Sequence, residues 1–209
     1  MMKIITLVMM IVLPIIGNAQ IEATTEDGKA VLLYKNGTWE YVKEKHVQMA
    51  EVVDVEIEEG LTSESPLEEL YYAESKRLVK YFGPIKGKIK GRAKCMIVDG
   101  QPKLFFQWEV GLLDSYRYFG HMKAGRKVTL KSKNGTLIEL ALTEDIDMEF
   151  VKKYNFSVLK GASQLSDVQF SLLMNSAISE IEVDWKKEPE AYPVNDPYYF
   201  SKTFMEILN

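Results

Sequence analysis

The segment Ile85–Val110, IKGKIKGRAKCMIVDGQPKLFFQWEV, decides how the rest of the chain is read. From Ile85 to Val98 it alternates with period two. Ile85, Gly87, Ile89, Gly91, Ala93, Cys95 and Ile97 fall on one face, and Lys86, Lys88, Lys90, Arg92 and Lys94 on the other, followed by Met96 and Val98. A strand sends successive side chains to opposite faces, so this pattern predicts a half-buried strand. Asp99-Gly100 is a two-residue hairpin signal, because both residues tolerate positive φ. The turn sets Cys95 against Leu104, Ala93 against Phe106, Gly91 against Trp108 and Ile89 against Val110. Small residues then face large ones, and an aromatic ring covers a glycine. On the outer face Lys90 meets Glu109. A one-residue slip would bring lysines onto Phe106 and Trp108, which specifies the register.

The chain has 209 residues, 46% of them hydrophobic, and a formal net charge of −4. That suits one domain with a small appendage. Lys3, the apolar run Ile4–Ile16 and Gly17-Asn18-Ala19 have the order of a signal peptide, with cleavage expected between Ala19 and Gln20. The run is shorter than the roughly 20 residues of a membrane span. The expected location is therefore periplasmic or secreted, with no transmembrane segment in the mature chain. Cys95 is the only cysteine, so no intrachain disulfide forms, and its place on the buried face marks it as a small core residue. The expected organisation is a signal peptide at 1–19, an N-terminal hairpin module at 20–43, an acidic connector at 44–65 and an α+β domain at 66–209.

Ile21–Asp27 is short and polar. Beyond it, Val31–Tyr34 and Trp39–Val42 flank Asn36-Gly37 and predict a second hairpin. A two-residue turn sets Tyr34 against Trp39 and Leu32 against Tyr41. A longer turn with a glycine bulge sets Leu33 against Trp39 and Val31 against Tyr41. The pattern Thr25-Glu26-Asp27-Gly28-Lys29-x-Val31-Leu32-Leu33-x-x-x-Gly37-Thr38-Trp39-x-Tyr41 resembles a short N-terminal module in exported proteins of Bacteroidetes-type bacteria. The resemblance covers roughly 20 residues. It implies an envelope or secreted location and transfers no chemistry. Lys133-Asn134-Gly135-Thr136 repeats the turn Lys35-Asn36-Gly37-Thr38, which reads as convergence on one turn chemistry.

In the connector, Val53, Val55 and Ile57 alternate with acids and suggest a short edge strand. Ser65, Pro66 and Glu68 have the spacing of a helix start. Leu67, Leu70, Tyr71, Leu78, Tyr81 and Phe82 form a helical stripe, and Gly83-Pro84 ends it, so a helix is expected at 66–82. A third strand is expected at 115–119. Strands at 127–132 and 136–142 should put Val128, Leu130, Ile138, Leu140 and Leu142 on one face. Thr143–Tyr154 fits a helix on Ile146, Phe150 and Tyr154, or a strand on Ile146, Met148 and Phe150; the helix is preferred. A strand at 155–159 follows. Ser166-x-x-Gln169 opens a helix with Leu165, Val168, Leu172 and Leu173 inward. Ile178–Trp185 reads as a strand, Lys186–Asp196 as a polar loop, and Pro197 opens a last helix. The sum is an α+β fold: a mostly antiparallel sheet of five to seven strands around the hairpin 85–110, a helix at 66–82 and two C-terminal helices. A helix across an antiparallel meander resembles the cystatin-like arrangement, which carries no function with it.

Charge is segregated along the chain. Acids dominate Glu40–Glu74, whereas Lys76–Val98 holds eight basic residues and no acid. Lys86, Lys88, Lys90, Arg92 and Lys94 therefore form a candidate basic face for an anionic ligand, such as envelope phosphates or acidic glycans. A solvated sheet face, or a face paired with the chain's own acids, explains the same pattern. Trp39 and Tyr41 form a second candidate interaction surface. An acidic, exported chain is not expected to bind nucleic acid. His46 and His121 lack ligand-spaced neighbours, and Asp145, Asp147 and Glu149 lack the glycine and distal glutamate of a calcium loop, so no metal is expected. No nucleophile elbow or phosphate-binding glycine loop is present, and no cofactor is expected. The expected function is an envelope-associated, non-enzymatic binding or adaptor module whose partner is an envelope polyanion or envelope protein. The alternatives are a small hydrolase or ligand-processing domain with a carboxylate pair, and a structural subunit of an envelope assembly.

Overall fold

The computed structural model describes residues 21–24, 30–33, 38–41 and 55–208. The leader expected at 1–19, the turn Asn36-Gly37, His46 and the first half of the acidic connector lie outside the described residues. The chain divides into two units, Met1–Ala50 and Glu51–Asn209.

In the first unit, β1 (Ile21–Thr24), β2 (Ala30–Leu33) and β3 (Trp39–Tyr41) form an antiparallel sheet in that order. Leu33 stands opposite Trp39 and Val31 opposite Tyr41, which is the longer-turn register. Strand β1 occupies the stretch read as merely polar and short, pairing Ile21 with Leu33 and Thr24 with Ala30. A lone two-stranded hairpin is marginal in water, and a third strand extends the hydrogen-bonded ladder.

The second unit opens with β4 (Ser63–Glu64), β5 (Glu68–Glu74) and α1 (Lys76–Lys86), and α1 feeds the hairpin β6 (Lys88–Val98) and β7 (Gln101–Val110). A helical turn α2 (Tyr116–Phe119) precedes β8 (Lys127–Ser132), β9 (Leu137–Ala141), β10 (Asp147–Val151) and β11 (Phe156–Gln164). Then come α3 (Asp167–Met174), β12 (Ile178–Val183), β13 (Glu190–Pro193) and α4 (Tyr199–Leu208). Six strands make one antiparallel sheet, β10-β11-β7-β6-β4, with β5 also on β6; four make another, β13-β12-β8-β9. The fold is α+β and mostly antiparallel, with more strands than the sequence suggested.

The central hairpin has the expected register at every pair, from Ile89 opposite Val110 to Val98 opposite Gln101. Its turn residues Asp99 and Gly100 take φ of 53° and 73°. Ile89, Gly91, Ala93, Cys95 and Ile97 are buried, as are Leu104, Phe106, Trp108 and Val110. The strand starts at Lys88 rather than Ile85. Ile85 and Lys86 belong to the end of α1, and Ile85 is 87% exposed.

The helix expected at 66–82 is a strand followed by a later helix. Ser65 belongs to the sheet: its N–H donates to Cys95 O at 2.9 Å, and its Oγ accepts from Cys95 N–H at 3.0 Å. Strand β5 then covers the outer edge of β6, whose N–H and C=O groups need partners along its length. A bulge between Glu69 and Tyr71 buries Leu70 and Tyr71 in succession, which imitates a helical stripe in the sequence. Ser75 is the true N-cap, its Oγ accepting from Leu78 N–H at 3.3 Å. The helix breaks at Gly83, φ 71°, just before Pro84.

Other expectations change in the same way. Residues 116–119 form a helical turn, not a strand, closed by Gly120 at φ 76°. The preferred helix across 143–154 is the strand β10, which covers β11. Val55 and Ile57 are not in a strand but pack, partly buried, against the core. The loop at 186–196 contains β13, whose buried Glu190 and Tyr192 flank exposed Ala191. In α3 the expected capping box forms and Leu165 and Leu173 are buried as expected, but Phe170 and Met174 face inward while Val168 and Leu172 are exposed. Val128, Leu130, Ile138, Leu140 and Leu142 are buried together as expected.

Both sheets of this unit feed one apolar core. Trp108 of β7 meets Trp185 edge-on at 5.3 Å, Trp185 meets Phe119 at 4.6 Å, and Tyr71 of β5 stacks on Tyr192 of β13 at 4.8 Å. The helix α4 lies on β6, where Tyr199 OH donates to Ala93 O at 2.7 Å, and Phe204 packs edge-on against Phe170 of α3. Among the described residues no helix is long and apolar enough to cross a membrane.

Candidate functional site

The outer face of β6 carries four of the five basic residues singled out in the sequence, and three of them are paired within the chain. Lys90 lies 3.6 Å from Glu69, Arg92 3.2 Å from Glu109 and Lys94 2.5 Å from Glu64. The Arg92 Nε contact with Glu109 is an ion pair without a hydrogen bond. Lys90 does stand opposite Glu109 in the ladder, but the ion pair runs diagonally from Glu109 to Arg92. The partners Glu64 and Glu69 come from β4 and β5, so the acids that precede the hairpin in sequence fold onto its lysines. Exposed pairs of this kind contribute about 0–1 kcal/mol each, so they set charge balance more than stability.

The face thus splits. Arg92 and Lys94 sit among acids and apolar side chains, Lys94 with its amine 5.6 Å from the Phe105 ring. Lys86, Lys88 and Lys90 converge elsewhere, on a groove of about 620 Å³ at the open end of the hairpin. Lys86 reaches it from the end of α1 and the other two from β6. Tyr72 of β5, Phe82 of α1, and Tyr154 and Phe156 before and within β11 supply aromatic walls, and Glu109 is the acid in the lining. Lys88 and Lys90 hold their amines 5.1 and 6.0 Å from the Tyr72 ring, a cation–π geometry that orients both toward the groove's aromatic side. Tyr72 is 57% exposed, Tyr154 65% and Ile85 87%, so the groove is lined by apolar surface open to solvent.

Sequence reasoning found the lysines and missed the rings. Tyr72 was hidden in the supposed helix, and Tyr154 and Phe156 lie more than forty residues downstream of the hairpin. No local pattern links these segments; the pairing of β11 with β7 does.

The remaining candidates have definite places. Trp39 and Tyr41 stand on β3, opposite Leu33 and Val31. His121 stacks on Tyr116, ring centroids 5.5 Å apart. Among the described residues no group of three or more His, Cys, Asp or Glu is arranged to hold a metal ion. Asp145 binds Lys123 at 2.6 Å and accepts from Ala124 N–H, and both contacts hold its carboxyl below the usual range, led by the Lys123 bond. Cys95 is fully buried, and burial, with the charge of Glu68 behind it, pushes its thiol well above the ordinary value, which suits a core residue. Another groove, of about 500 Å³, includes Glu56 and Asp167 in its lining. The lysine and aromatic groove is therefore the site with the most developed recognition chemistry. No protein-family model matches the sequence, no curated protein matches it, and no solved structure matches the fold.

Proposed function

We propose that this chain is an exported, non-enzymatic binding module of the cell envelope, and that it holds an acidic glycan in the groove at the open end of the β6–β7 hairpin. The observation that carries the reading is that Lys86, Lys88 and Lys90 line one open groove together with Tyr72, Phe82, Tyr154 and Phe156. Sugar rings lay their apolar faces on aromatic side chains, and the acidic substituents of a glycan pair with amines on the rim. The leader-like residues 1–19 support export, and the acidic net charge argues against a nucleic-acid partner.

The test is binding of residues 20–209 to heparin oligosaccharide and to polygalacturonate, with neutral dextran as the control, over a salt series. Acidic glycans should bind, dextran should not, and affinity should fall as salt rises. Lys88→Glu and Tyr154→Ala should each weaken binding about tenfold, the scale of 1.4 kcal/mol. Lys94→Glu, on the paired part of the face, should change it little. Absence of binding at low salt, or equal losses at Lys88 and Lys94, would reject the groove.

A further inference from the structure

We infer that a second anion site, for a phosphate monoester or pyrophosphate group, lies on the other side of α1. A cleft of about 450 Å³ there is lined by Lys76, Arg77 and Lys80 from α1, Arg117 from α2, and Lys187 and Glu188 from the segment before β13. Five cations from three separate parts of the chain thus meet one carboxylate.

The cleft is built around a buried arginine. Arg77 is 8% exposed and ties its three walls together. Its Nη1 donates to Tyr118 O at 2.5 Å and its Nη2 to Glu188 O at 3.1 Å. Its guanidinium also lies 3.2 Å from Glu188 Oε1 and 3.9 Å from Glu190 Oε1, and 5.7 Å from the Phe119 ring. Lys187 donates to Arg117 O, which fixes the facing wall. The acid in the lining, Glu188, is thereby engaged by Arg77, which lowers its claim on the other cations.

The cations that face solvent are arranged against the stability of the helix. Lys76 is exposed in the first turn of α1, where the helix dipole disfavours cations, and the helix supplies no acid of its own there, the buried Glu190 accepting from the Arg77 N–H. Lys76 and Lys80 are four residues apart, a like-charge pair that destabilises a helix by a few tenths of a kcal/mol. Among the described residues neither forms an ion pair with a carboxylate. Arg117 contacts Asp114 at 3.3 Å and remains largely exposed. A bound dianion would offset the charges of Lys76 and Lys80. A phosphate monoester carries about −1.5 to −2 charge and three acceptor oxygens, which suits two lysines and an arginine better than a single carboxylate does.

The site is distinct from the glycan groove and independent of that reading. Tyr81 and Tyr118 belong to the cleft, Phe82 to the groove, and the three rings pack together with centroids 5.3 to 6.4 Å apart. This aromatic layer separates the two.

The test uses residues 20–209 and isothermal titration with pyrophosphate and glycerol 1-phosphate. It adds sedimentation with vesicles of phosphatidylcholine containing either phosphatidic acid or phosphatidylglycerol. Pyrophosphate should bind at low salt. The double variant Lys76→Gln, Lys80→Gln should weaken binding at least tenfold, Arg117→Gln should weaken it several-fold, and Lys88→Gln should leave it unchanged. All four side chains are at least partly exposed, and an unchanged melting temperature shows that the variants fold. Binding of soluble esters without preference for phosphatidic acid over phosphatidylglycerol identifies a free phosphate ester as the ligand. A preference for phosphatidic acid that the double variant removes identifies a lipid headgroup. Absence of binding to every probe, unchanged affinity in the double variant, or an equal loss with Lys88→Gln would overturn the site.

Discussion

The outer end of the Tyr71 ring fills the space that a side chain on Gly91 would need. A Cβ built on Gly91 would fall within 2.7 Å of three ring carbons of Tyr71. The two residues are Cα partners on adjacent strands, and on the other side Gly91 faces Trp108. Trp108 Nε1–H in turn donates to Tyr71 OH at 3.0 Å. The missing side chain therefore makes room for the tyrosine that links β5 to β7.

Gly91→Ala should displace Tyr71 and break its bond to Trp108. Overpacking of a tight core costs about 1–3 kcal/mol. Urea unfolding of the single variant and of Gly91→Ala with Tyr71→Leu checks this. The smaller leucine should recover part of the loss, and strictly additive effects would argue against the contact.

The position of the helix start makes a second prediction. Ser75→Ala removes the N-cap and should cost about 1 kcal/mol. Ser65→Ala removes the acceptor of the buried Cys95 N–H and should cost about 1–3 kcal/mol. Its effect should appear as faster amide exchange at Cys95, with the amides of α1 unaffected. Loss of helix signal in Ser65→Ala would contradict the role of Ser65 in the sheet.

Glu190 is a buried carboxylate with three partners. It accepts from Arg77 N–H at 3.0 Å and from Tyr192 OH at 2.7 Å, and its charge faces the Arg77 guanidinium at 3.9 Å. Glu190→Ala leaves a buried arginine and a tyrosine hydroxyl short of an acceptor, and should cost about 3–5 kcal/mol. Glu190→Gln keeps an acceptor and should cost less. Denaturant midpoints measure both, and a loss below about 1 kcal/mol for the alanine variant would show that Glu188 suffices for Arg77.

Alkaline pH should unfold the protein through its buried tyrosines. Burial raises the phenols of Tyr71, Tyr192 and Tyr199 above the ordinary value. The unfolded chain releases these protons above about pH 10, while the folded chain retains them. The unfolded state then binds fewer protons, so stability falls as pH rises through and beyond that value, and is undiminished below it. Absorbance at 295 nm should show these phenols ionising together with the loss of circular dichroism. Ionisation before unfolding would contradict their burial.

How far the sequence carried the fold depended on how local each signal was. The β6–β7 hairpin was legible residue by residue, because strict alternation and Asp99-Gly100 leave one register with a dry face. The turn at Asn134-Gly135, the capping box at Ser166 and Gln169, and the α+β class were legible for the same reason. Leu70 and Tyr71 misled because a bulge buries neighbours that an ordinary strand would separate. Strands β10 and β13 were hidden because their formation depends on a partner edge, and β13 puts a carboxylate, Glu190, on the buried side. In the candidate groove, Lys86, Lys88 and Lys90 were visible as a run of charge. The acids that neutralise Arg92 and Lys94, and the rings of Tyr72 and Tyr154, were visible only as residues. The sequence by itself determined the hairpin, its register and its charged face, since these follow from period and turn chemistry within 26 adjacent residues. Only the tertiary structure decided which of those charges remain open to a ligand, because side-chain pairing across strands depends on which distant segments cover each sheet edge.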